Sequence, residues 1–483
     1  MPRSARGRRC SWPRRHSNSR PAGSRADEPQ RFDARRRRLL AAAGALTAAE
    51  VFPRLAGLAL PSAYAQAATD YKALVCVFLY GGNDGNDMVV PLDDYAQYAN
   101  VRGRSGAAIG EGELVPILPA SPGRRYGLHP ELRDLAPLFA ATKLTVVCNV
   151  GTLVAPLTRA QYVGGTGKAP RNLFSHSDQQ LQWQGLVPNA LATTGWGGRV
   201  ADATNAGNMI FGIPGVLSLA GDALFSIGET SIPLALPGDG NNGLAGDIES
   251  PSGRLRYESM NRLLRVDRDS TIVGKAADIM ALALASAEKI NAVFNGQVAA
   301  VDTAFQGVDS GLAQQLRKVA TLIAGRGVLG VQRQIFYCAL GGFDTHSSQR
   351  SEHGDRMREL GPALAAFQRA TDALVVGSQV TAFTLSDFGR TFRVNANAGT
   401  DHGWGSHHLV LGGAVKGGTF YGKFPTLALA GPDDAGDEGQ WIPTTAMDQY
   451  GATLASWFGV PAAALPQLFP NVQTFANPVL GFV

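Results

Sequence analysis

The sequence has few cysteines and few charged residues for its length. Of 483 residues, 4 are Cys and 17% are charged, while 45% are apolar and 58 are Gly. Cys76, Cys148 and Cys338 each lie inside an apolar run and share no close spacing, which excludes a disulfide framework and predicts buried thiols. The low charge and high Gly content exclude an extended coiled coil or a disordered chain. We expect a folded protein with a large core.

The body of the sequence also lacks an excess of basic residues, although the whole chain has a net charge of +5. Residues 1–65 hold 14 Arg against four acidic residues, so their net charge of +10 leaves −5 for residues 66–483. Because binding to nucleic acid requires cationic side chains against the phosphates, no nucleic-acid partner is expected.

Residues 1–65 have the three parts of an export signal. A basic segment ends in four arginines at 35–38, a Gly/Ala/Leu-rich stretch follows, and the tripeptide 63–65 is a small-x-small cleavage pattern. Paired arginines shortly before two leucines resemble the twin-arginine signal, which predicts the twin-arginine export machinery as a partner and the periplasm or the exterior as the location. The alternative is a basic tail before an amphipathic helix. Pro53 and Arg54 interrupt the apolar stretch, so no stable transmembrane segment is expected in the mature protein.

Four apolar runs, each leading into a polar or Gly-rich loop, predict strands of a mostly parallel sheet. They lack polar alternation, which is typical of strands covered on both faces, and helical stretches separate them. Ligands of such sheets bind at the carboxyl ends of the strands, where these loops fall. The runs are Ala73–Tyr80, Leu144–Val150, Gln334–Leu340 and Val380–Leu385.

The remaining segments predict the domain organisation. Residues 208–245 have the Gly/Pro/Asn punctuation of short strands and turns, 272–325 have long Ala-rich helical patterns, and 395–450 are Gly-rich and loop-dominated. We therefore expect an α/β domain over residues 70–483, with a β and helical insert at about 205–325.

Acidic and imidazole side chains cluster in the loops after the predicted strands. Oxygen and imidazole donors without thiols suit Zn, Mn, Ca or Mg, so the cofactor predicted is a divalent metal. For each motif alone the alternative is a hydrogen-bonded loop pair, and Asp and Asn beside Gly also favour turns. The candidate metal ligands are Asp84, Asp87, Asp344, His346, Asp387, His402 and His407.

Ser175 and Arg390 are the candidates for chemistry on a substrate. Ser175 precedes a predicted helix at Gln179–Gln184, where either Ser175 or Ser177 is the N-cap, or Ser175 is a nucleophile favoured by the helix N-terminus. Arg390 either clamps a phosphate or sulfate group or pairs with Asp387. The sequence has no P-loop, dinucleotide fingerprint or Gly-x-Ser-x-Gly elbow.

Taken in order along the chain, these motifs resemble the exported bacterial family called domain of unknown function 1501, from about residue 35 to the end. That family resembles the alkaline phosphatase and sulfatase superfamily, which implies an alkaline phosphatase-like three-layer sandwich, one or two divalent metals and a Ser, Thr or modified Cys nucleophile. The motifs are Leu79–Asp87, Leu128–Pro130, Ser175-His176, Gly342–His346, Ser386–Thr391 and Gly399–Gly405.

The resemblance implies roles for these positions. Asp84, with Asp87 as the fallback, matches the acidic ligand after the first strand, and Ser175 matches the nucleophile. The later ligands match Asp344, His346, Asp387 and either His402 or His407.

Two departures bear on the implied mechanism. The superfamily commonly spaces its first acid and histidine further apart than Asp344 and His346, and Phe388 stands where a histidine commonly follows the acid matched by Asp387. A second metal site would therefore lack an imidazole. The predicted function is an exported metal-dependent hydrolase acting on anionic phosphate or sulfate esters. The alternative is a catalytically degenerate binding or scaffold protein of the envelope.

Overall fold

The computed structural model describes most of the chain from residue 71 onward. The chain divides into two units, Met1–Leu60 and Pro61–Val483, and every described residue belongs to the second. The export signal predicted over residues 1–65 lies outside the described residues, as do parts of the predicted insert. Within the described ranges, no helix is both long and apolar enough to cross a membrane. Those ranges are 71–187, 192–204, 213–236, 250–266 and 270–483.

The strands of the described residues form a nine-stranded central sheet and a small antiparallel sheet. In chain order they are β1 Lys72–Leu79, β2 Val89–Pro91, β3 Val115–Ile117, β4 Tyr126–Leu128, β5 Leu144–Gly151, β6 Val216–Ser218, β7 Leu234–Ala235, β8 Arg333–Leu340, β9 Val380–Ser386, β10 Ser406–Gly412, β11 Phe420–Tyr421 and β12 Thr445–Ala446. The central order is β11-β5-β10-β9-β1-β8-β6-β7 with β12 also on β5, and the small sheet has the order β2-β4-β3.

The helices of the described residues lie mainly between the long strands. In chain order they are α1 Gly85–Met88, α2 Tyr95–Arg102, α3 Ala136–Ala140, α4 Arg159–Val163, α5 His176–Gly185, α6 Trp196–Thr204, α7 Pro251–Leu263, α8 Thr271–Phe294, α9 Ala299–Ala304, α10 Gly311–Ala324, α11 Arg326–Leu329, α12 Gln349–Ala373, α13 Met447–Phe458 and α14 Leu465–Leu468.

The central sheet is parallel except for β10. Strand β1 pairs in parallel with both β8 and β9, so Leu79 lies opposite Leu340 and Ser386 where the three strands end. Strand β10 runs antiparallel to β9 and β5. The four strands predicted from the sequence are β1, β5, β8 and β9, and the mostly parallel α/β fold is confirmed.

Helices cover both faces of this sheet. Along β1, Ala73 and Val75 face one core cluster, whereas Leu74 and Cys76 face the other. Helices α10 and α12 contribute to the first cluster, and α6 and α13 to the second. Since successive strand residues point to opposite faces, continuous apolar runs are what such a buried sheet requires. The three cysteines predicted as buried thiols are buried and free on β1, β5 and β8.

Strand β10 brings the chain before it to the carboxyl edge of the parallel strands. Because β10 runs opposite to its neighbours, its first residue, Ser406, pairs with Val150 near the end of β5. The loop 399–405 therefore lies at the same edge as the loops after β8 and β9. The segment 395–450, predicted as loop-dominated, also contains β10, whose seven residues are all buried.

The predicted insert also contributes to the central sheet. In its described part, β6 and β7 pair in parallel beside β8 and extend the sheet on that side. Helices α8 and α10 match the helices predicted over 272–325. Strand β6 joins the central sheet because its apolar residues are buried on both faces. Val216 lies in one core cluster and Leu217 in the other.

A buried carboxyl in the first turn of α13 leads to a prediction about stability and pH. Burial raises the pKa of Asp448 from 3.8 to about 6, although Asp448 Oδ1 accepts the backbone N–H of Asn471 at 2.9 Å. The folded state thus favours the protonated form of Asp448. The stability of the protein is therefore highest below the pKa that Asp448 has in the unfolded chain, and it falls as the pH rises through the pKa in the folded protein. We expect Asp448→Asn to raise the free energy of unfolding by about 3 kcal/mol at about pH 8 and to change it little at about pH 4. Urea unfolding at both pH values measures this, and equal stabilities at the higher pH would contradict it.

Candidate metal centre

Four chain segments meet at the carboxyl edge of the central sheet. The loop after β8 carries Asp344 and His346, and Asp387 directly follows β9. The loop before β10 carries His402, and α5 begins at His176. Parallel strands end at the same edge, and the reversed direction of β10 adds the loop before it.

The start of α5 is set by Ser175. Its hydroxyl accepts the backbone N–H of Asp178, so Ser175 is the N-cap that the sequence allowed. The same hydroxyl donates to Asp178 Oδ2 at 2.6 Å. The cap places His176 in the first helical position, which faces the loops after β8 and β9.

Nitrogen atoms of three histidines converge on the carboxylate of Asp344. Nε2 of His346 lies 3.0 Å and Nε2 of His402 lies 3.3 Å from Asp344 Oδ1. Nε2 of His176 lies 3.4 Å from Oδ2 of the same carboxylate. Neighbouring ligands around a tetrahedral divalent ion, with bonds of about 2.0–2.1 Å, lie roughly 3.3 Å apart. The donor types and their spacing therefore fit the divalent metal that the family resemblance implies.

The contacts behind His402 and His346 leave two lone pairs facing each other. Nδ1 of His402 lies 2.7 Å from Phe174 O, and Nδ1 of His346 lies 2.9 Å from Asp401 Oδ1. Since carbonyl and carboxylate oxygens only accept, each Nδ1 donates its proton. With each neutral ring protonated at Nδ1, the two Nε2 atoms carry lone pairs 3.1 Å apart. This contact is repulsive unless a cation or a further proton lies between them. Burial lowers the pKa of His402, which favours a cation over the proton.

Asp387 orients the third histidine. Its buried Oδ2 accepts hydrogen bonds from His176 Nδ1 at 2.7 Å and Gln180 Nε2 at 2.8 Å, and Oδ1 accepts the backbone N–H of Gly81 at 3.2 Å. The hydrogen bond to Asp387 raises the pKa of His176. Nε2 of His176 is buried and has no hydrogen-bond partner among the described residues. A carboxylate behind a histidine is the usual support of a metal ligand.

Arg390 supports the carboxylate of Asp344. The buried guanidinium donates from Nη1 to Asp344 Oδ1 at 2.8 Å and to Gly81 O at 3.1 Å, and from Nε to Thr400 Oγ1 at 3.1 Å. Burial acts to raise the pKa of Asp344, but the hydrogen bond and charge of Arg390 lower it overall. The ion pair predicted with Asp387 is instead made with Asp344, so Arg390 keeps a candidate ligand ionised.

Glycine at position 81 permits the close approach of these loops. Gly81 has a φ of +113°, and a Cβ there would lie 2.4 Å from the backbone nitrogen of Asp344. A side chain would therefore both strain the backbone and push the Asp344 loop away.

Asp84 and Asp87 are not brought to this cluster. Both carboxylates are buried and each lies 2.6 Å from Arg102 Nη1. Asp84 also accepts from Gln349 Nε2 at 2.8 Å and twice from Asn86 at 3.0 Å. These four bonds use the lone-pair positions of the Asp84 carboxylate, so Asp84 has none left for a metal. The structure gives these two predicted ligands the role of a buried ion-pair network.

The other predicted site residues occupy different positions. His407 lies on β10 rather than in a loop, where Nδ1 accepts the backbone N–H of Asn149 at 3.1 Å and the ring stacks on Phe424. Asp387 stands behind His176 rather than among the converging donors. Ser175 lies beside the cluster in sequence but directs its hydroxyl to Asp178. Asp344, His346 and His402 are the predicted metal ligands that the structure brings together.

His176 is the member of the cluster that the ligand prediction omitted. His176, Asp344 and His402 each offer a ligand atom within 4.8 Å of the others. The signal in the sequence is the position of His176 directly after a helix-capping serine, in the motif Ser175-His176. That motif drew attention to the serine as a nucleophile instead.

Comparison with known proteins identifies the family. Residues 71–435 match the family described as protein of unknown function (DUF1501), and the chain belongs to it. No curated protein matches the chain. Solved structures similar to this chain include the C-terminal periplasmic domain of EcEptC from Escherichia coli in complex with Zn, with 9% identity and a TM-score of 0.29 over 72% of this chain and 74% of that chain. Another is Ps i-CgsB in complex with k-i-k-neocarrahexaose, with 10% identity and a TM-score of 0.30 over 85% and 78%. Likenesses at this level carry no argument about function.

Proposed function

We propose that this protein is an exported, metal-dependent hydrolase of phosphate or sulfate esters. The observation that supports the proposal is the convergence of three bare imidazole nitrogens on the carboxylate of Asp344. His176, Asp344 and His402 would hold one divalent cation, and His346, which lies beside Asp344 and His402, would be a further donor. Imidazole-rich donor sets suit Zn better than Mn, Ca or Mg.

A metal held there would lower the pKa of a water molecule and stabilise negative charge on the transferred group. The protein contributes by fixing the donors. Asp387, Asp401 and the carbonyl of Phe174 each hold the proton of one imidazole on Nδ1, so that Nε2 is free to bind. Arg390 keeps Asp344 anionic.

The cluster is accessible from solvent on one side. The side chains of Asp344 and His346 are 44% and 45% exposed, whereas Asp387 and Arg390 behind them are buried. A structural metal site has all its coordination positions filled by protein, whereas a catalytic site keeps one open for water or substrate. Three protein donors would leave such a position on a tetrahedral ion, and the exposed side of the cluster is where water would enter. This exposure favours the hydrolase over the alternative of an envelope protein that only binds a metal.

The nucleophile is either a water molecule at the open side or the hydroxyl of Ser175. The Ser175 hydroxyl already donates to Asp178, and the carbonyl of the preceding residue, Phe174, supports His402. The buried Arg390 is engaged by Asp344, Gly81 and Thr400, which favours a positioning role over a clamp on the ester. Export through the twin-arginine route remains part of the proposal on the sequence alone.

Metal content tests this proposal. We expect protein purified without added metal or chelator to contain about one equivalent of divalent metal by elemental mass spectrometry, and the Asp344→Ala/His346→Ala variant to contain none. The metal-loaded protein is expected to hydrolyse at least one aryl phosphate or aryl sulfate, and the variant none.

Two further results decide the details of the proposal. Folded wild type and variant that both lack metal would overturn it, and a retained metal without turnover of any ester would favour the binding protein. Ser175→Ala separates the nucleophiles, since hydrolysis that persists in this variant assigns attack to water.

A further inference from the structure

A cavity of about 560 Å³ lies over the first turns of α12, and none of the residues that line it belongs to the metal cluster. Small-molecule sites commonly have volumes of about 300–1,000 Å³. Ser348 at the N-cap of α12 and Gly354 within α12 line the cavity, together with His129 and Pro130. The metal centre does not account for this cavity.

His129 presents an unpartnered donor to the cavity. Its side chain is 5% exposed, and Nδ1 accepts the backbone N–H of Glu131 at 3.1 Å. The ring proton therefore lies on Nε2, which makes no hydrogen bond to another described residue and is not fully shielded from solvent. Burial, together with His353 and two nearby arginines, lowers the pKa of His129 to about 3, so the ring is neutral. This N–H is available to donate to a ligand oxygen in place of water.

The charged groups that line the cavity are engaged in ion pairs with one another. Nη2 of Arg350 donates to both carboxylate oxygens of Glu113 at 2.7 Å. Arg358 donates to Asp355 at 2.5 Å and to Glu131 at 3.0 Å. Because three carboxylates face two guanidinium groups, the lining disfavours an anionic ligand. The ion pairs also place N–H donors beside carboxylate acceptors. Hydroxyl groups, which both donate and accept, are complementary to such a lining.

Part of the lining is apolar. Ala107, Ile109, Pro130 and Ala398 contribute carbon surface between the polar groups. A ligand that offers hydroxyl groups on its rim and C–H groups on its faces therefore matches both parts of the cavity.

We propose that this cavity binds a short neutral saccharide, with the Nε2–H of His129 donating to a ring or hydroxyl oxygen and the paired Arg350–Glu113 and Arg358–Asp355 groups contacting the remaining hydroxyls. The site is separate from the metal centre and does not depend on the proposed hydrolase activity.

Calorimetric titration of the full-length protein tests the proposal. The probes are glucose, galactose, N-acetylglucosamine, cellobiose and chitobiose, with inorganic phosphate and spermidine as charged alternatives. We expect binding of at least one neutral sugar, and the same affinity after treatment with a chelator. His129→Asn keeps a side-chain acceptor for Glu131 N–H, but its amide ends at the δ position and places no donor where Nε2 lies, so it is expected to weaken binding by about tenfold.

Gly354 offers a matched pair of variants. A Cβ at this position makes only ordinary contacts with His129, at 3.7 and 3.9 Å. Gly354→Ala is therefore expected to bind within about threefold of wild type, whereas Gly354→Leu fills the space beside His129 and is expected to abolish binding. Circular dichroism verifies that both variants are folded.

Several results would overturn the proposal. These are no binding of any neutral sugar, binding only of phosphate or spermidine, binding lost with the metal, or sugar binding unchanged in both His129→Asn and Gly354→Leu.

Discussion

Replacing His176 with alanine is expected to remove the bound metal and to reduce ester hydrolysis by more than about a hundredfold. The physical reason is that His176 supplies one of the converging Nε2 atoms. Loss of a group that only supports a metal ligand already lowers metal affinity about 10–100-fold, so loss of the ligand itself should lower it further. Asp387→Asn removes such a group, since Asp387 Oδ2 accepts from His176 Nδ1 at 2.7 Å. We therefore expect Asp387→Asn to retain metal with an affinity about 10–100-fold weaker.

Ser177→Ala is the matched control for this pair, because Ser177 lies next to His176 on the same turn and outside the cluster. Its metal content and activity are expected to equal those of wild type. Competition with a chromophoric chelator measures the three affinities. An unchanged metal affinity in His176→Ala would remove this histidine from the ligand set and leave Asp344, His346 and His402.

Arg102→Met is expected to destabilise the protein by about 3–5 kcal/mol, because it leaves the carboxylates of Asp84 and Asp87 buried without their cation. Arg102 is fully buried and also donates to the backbone oxygens of Thr391 and Phe392, at 3.0 and 3.1 Å. The loop that follows Arg390 is thus tied to this ion-pair network. Urea unfolding provides the measurement.

An exposed ion pair serves as the control for Arg102. Arg317 and Asp302 lie 2.6 Å apart with both side chains about half exposed, and Arg317→Ala is expected to change stability by about 1 kcal/mol or less. Arg102→Lys keeps a cation and is expected to be intermediate. If Arg102→Met were as stable as wild type but lost its metal, Asp84 would be a ligand and the structural role assigned to it would be wrong.

The main strands could be predicted because their runs of apolar residues reflect burial on both faces of the sheet. The run that forms β1 has no polar alternation, and only a sheet covered on both faces accommodates such a run. The strand β10 was missed because its sequence, Ser406–Gly412, contains two histidines and follows a Gly-rich loop. Its side chains are buried through contacts with β9, the preceding strand in the chain, and with β5, which lies far away in the sequence.

The candidate site could be predicted in part for the same reason. Asp344 and His346 directly follow a predicted strand, so their place at the carboxyl edge follows from the chain direction. His176 had no strand before it, and its role depends on the contact of α5 with Asp387, 211 residues away. Asp84 follows β1 as a ligand would, but Arg102 on α2 neutralises it, and no spacing rule reveals that partner.

The fold class and the positions of the polar loops follow from the amino-acid sequence, because hydrophobic periodicity and chain direction are local properties of the chain. Which of the acidic and imidazole side chains share a site depends instead on contacts between residues that are distant in the sequence. A carboxylate becomes a ligand, a support or half of a buried ion pair according to which groups the fold brings within hydrogen-bonding distance. Asp344 lies beside three histidines and Arg390. Asp387 accepts from His176, and Asp84 pairs with Arg102.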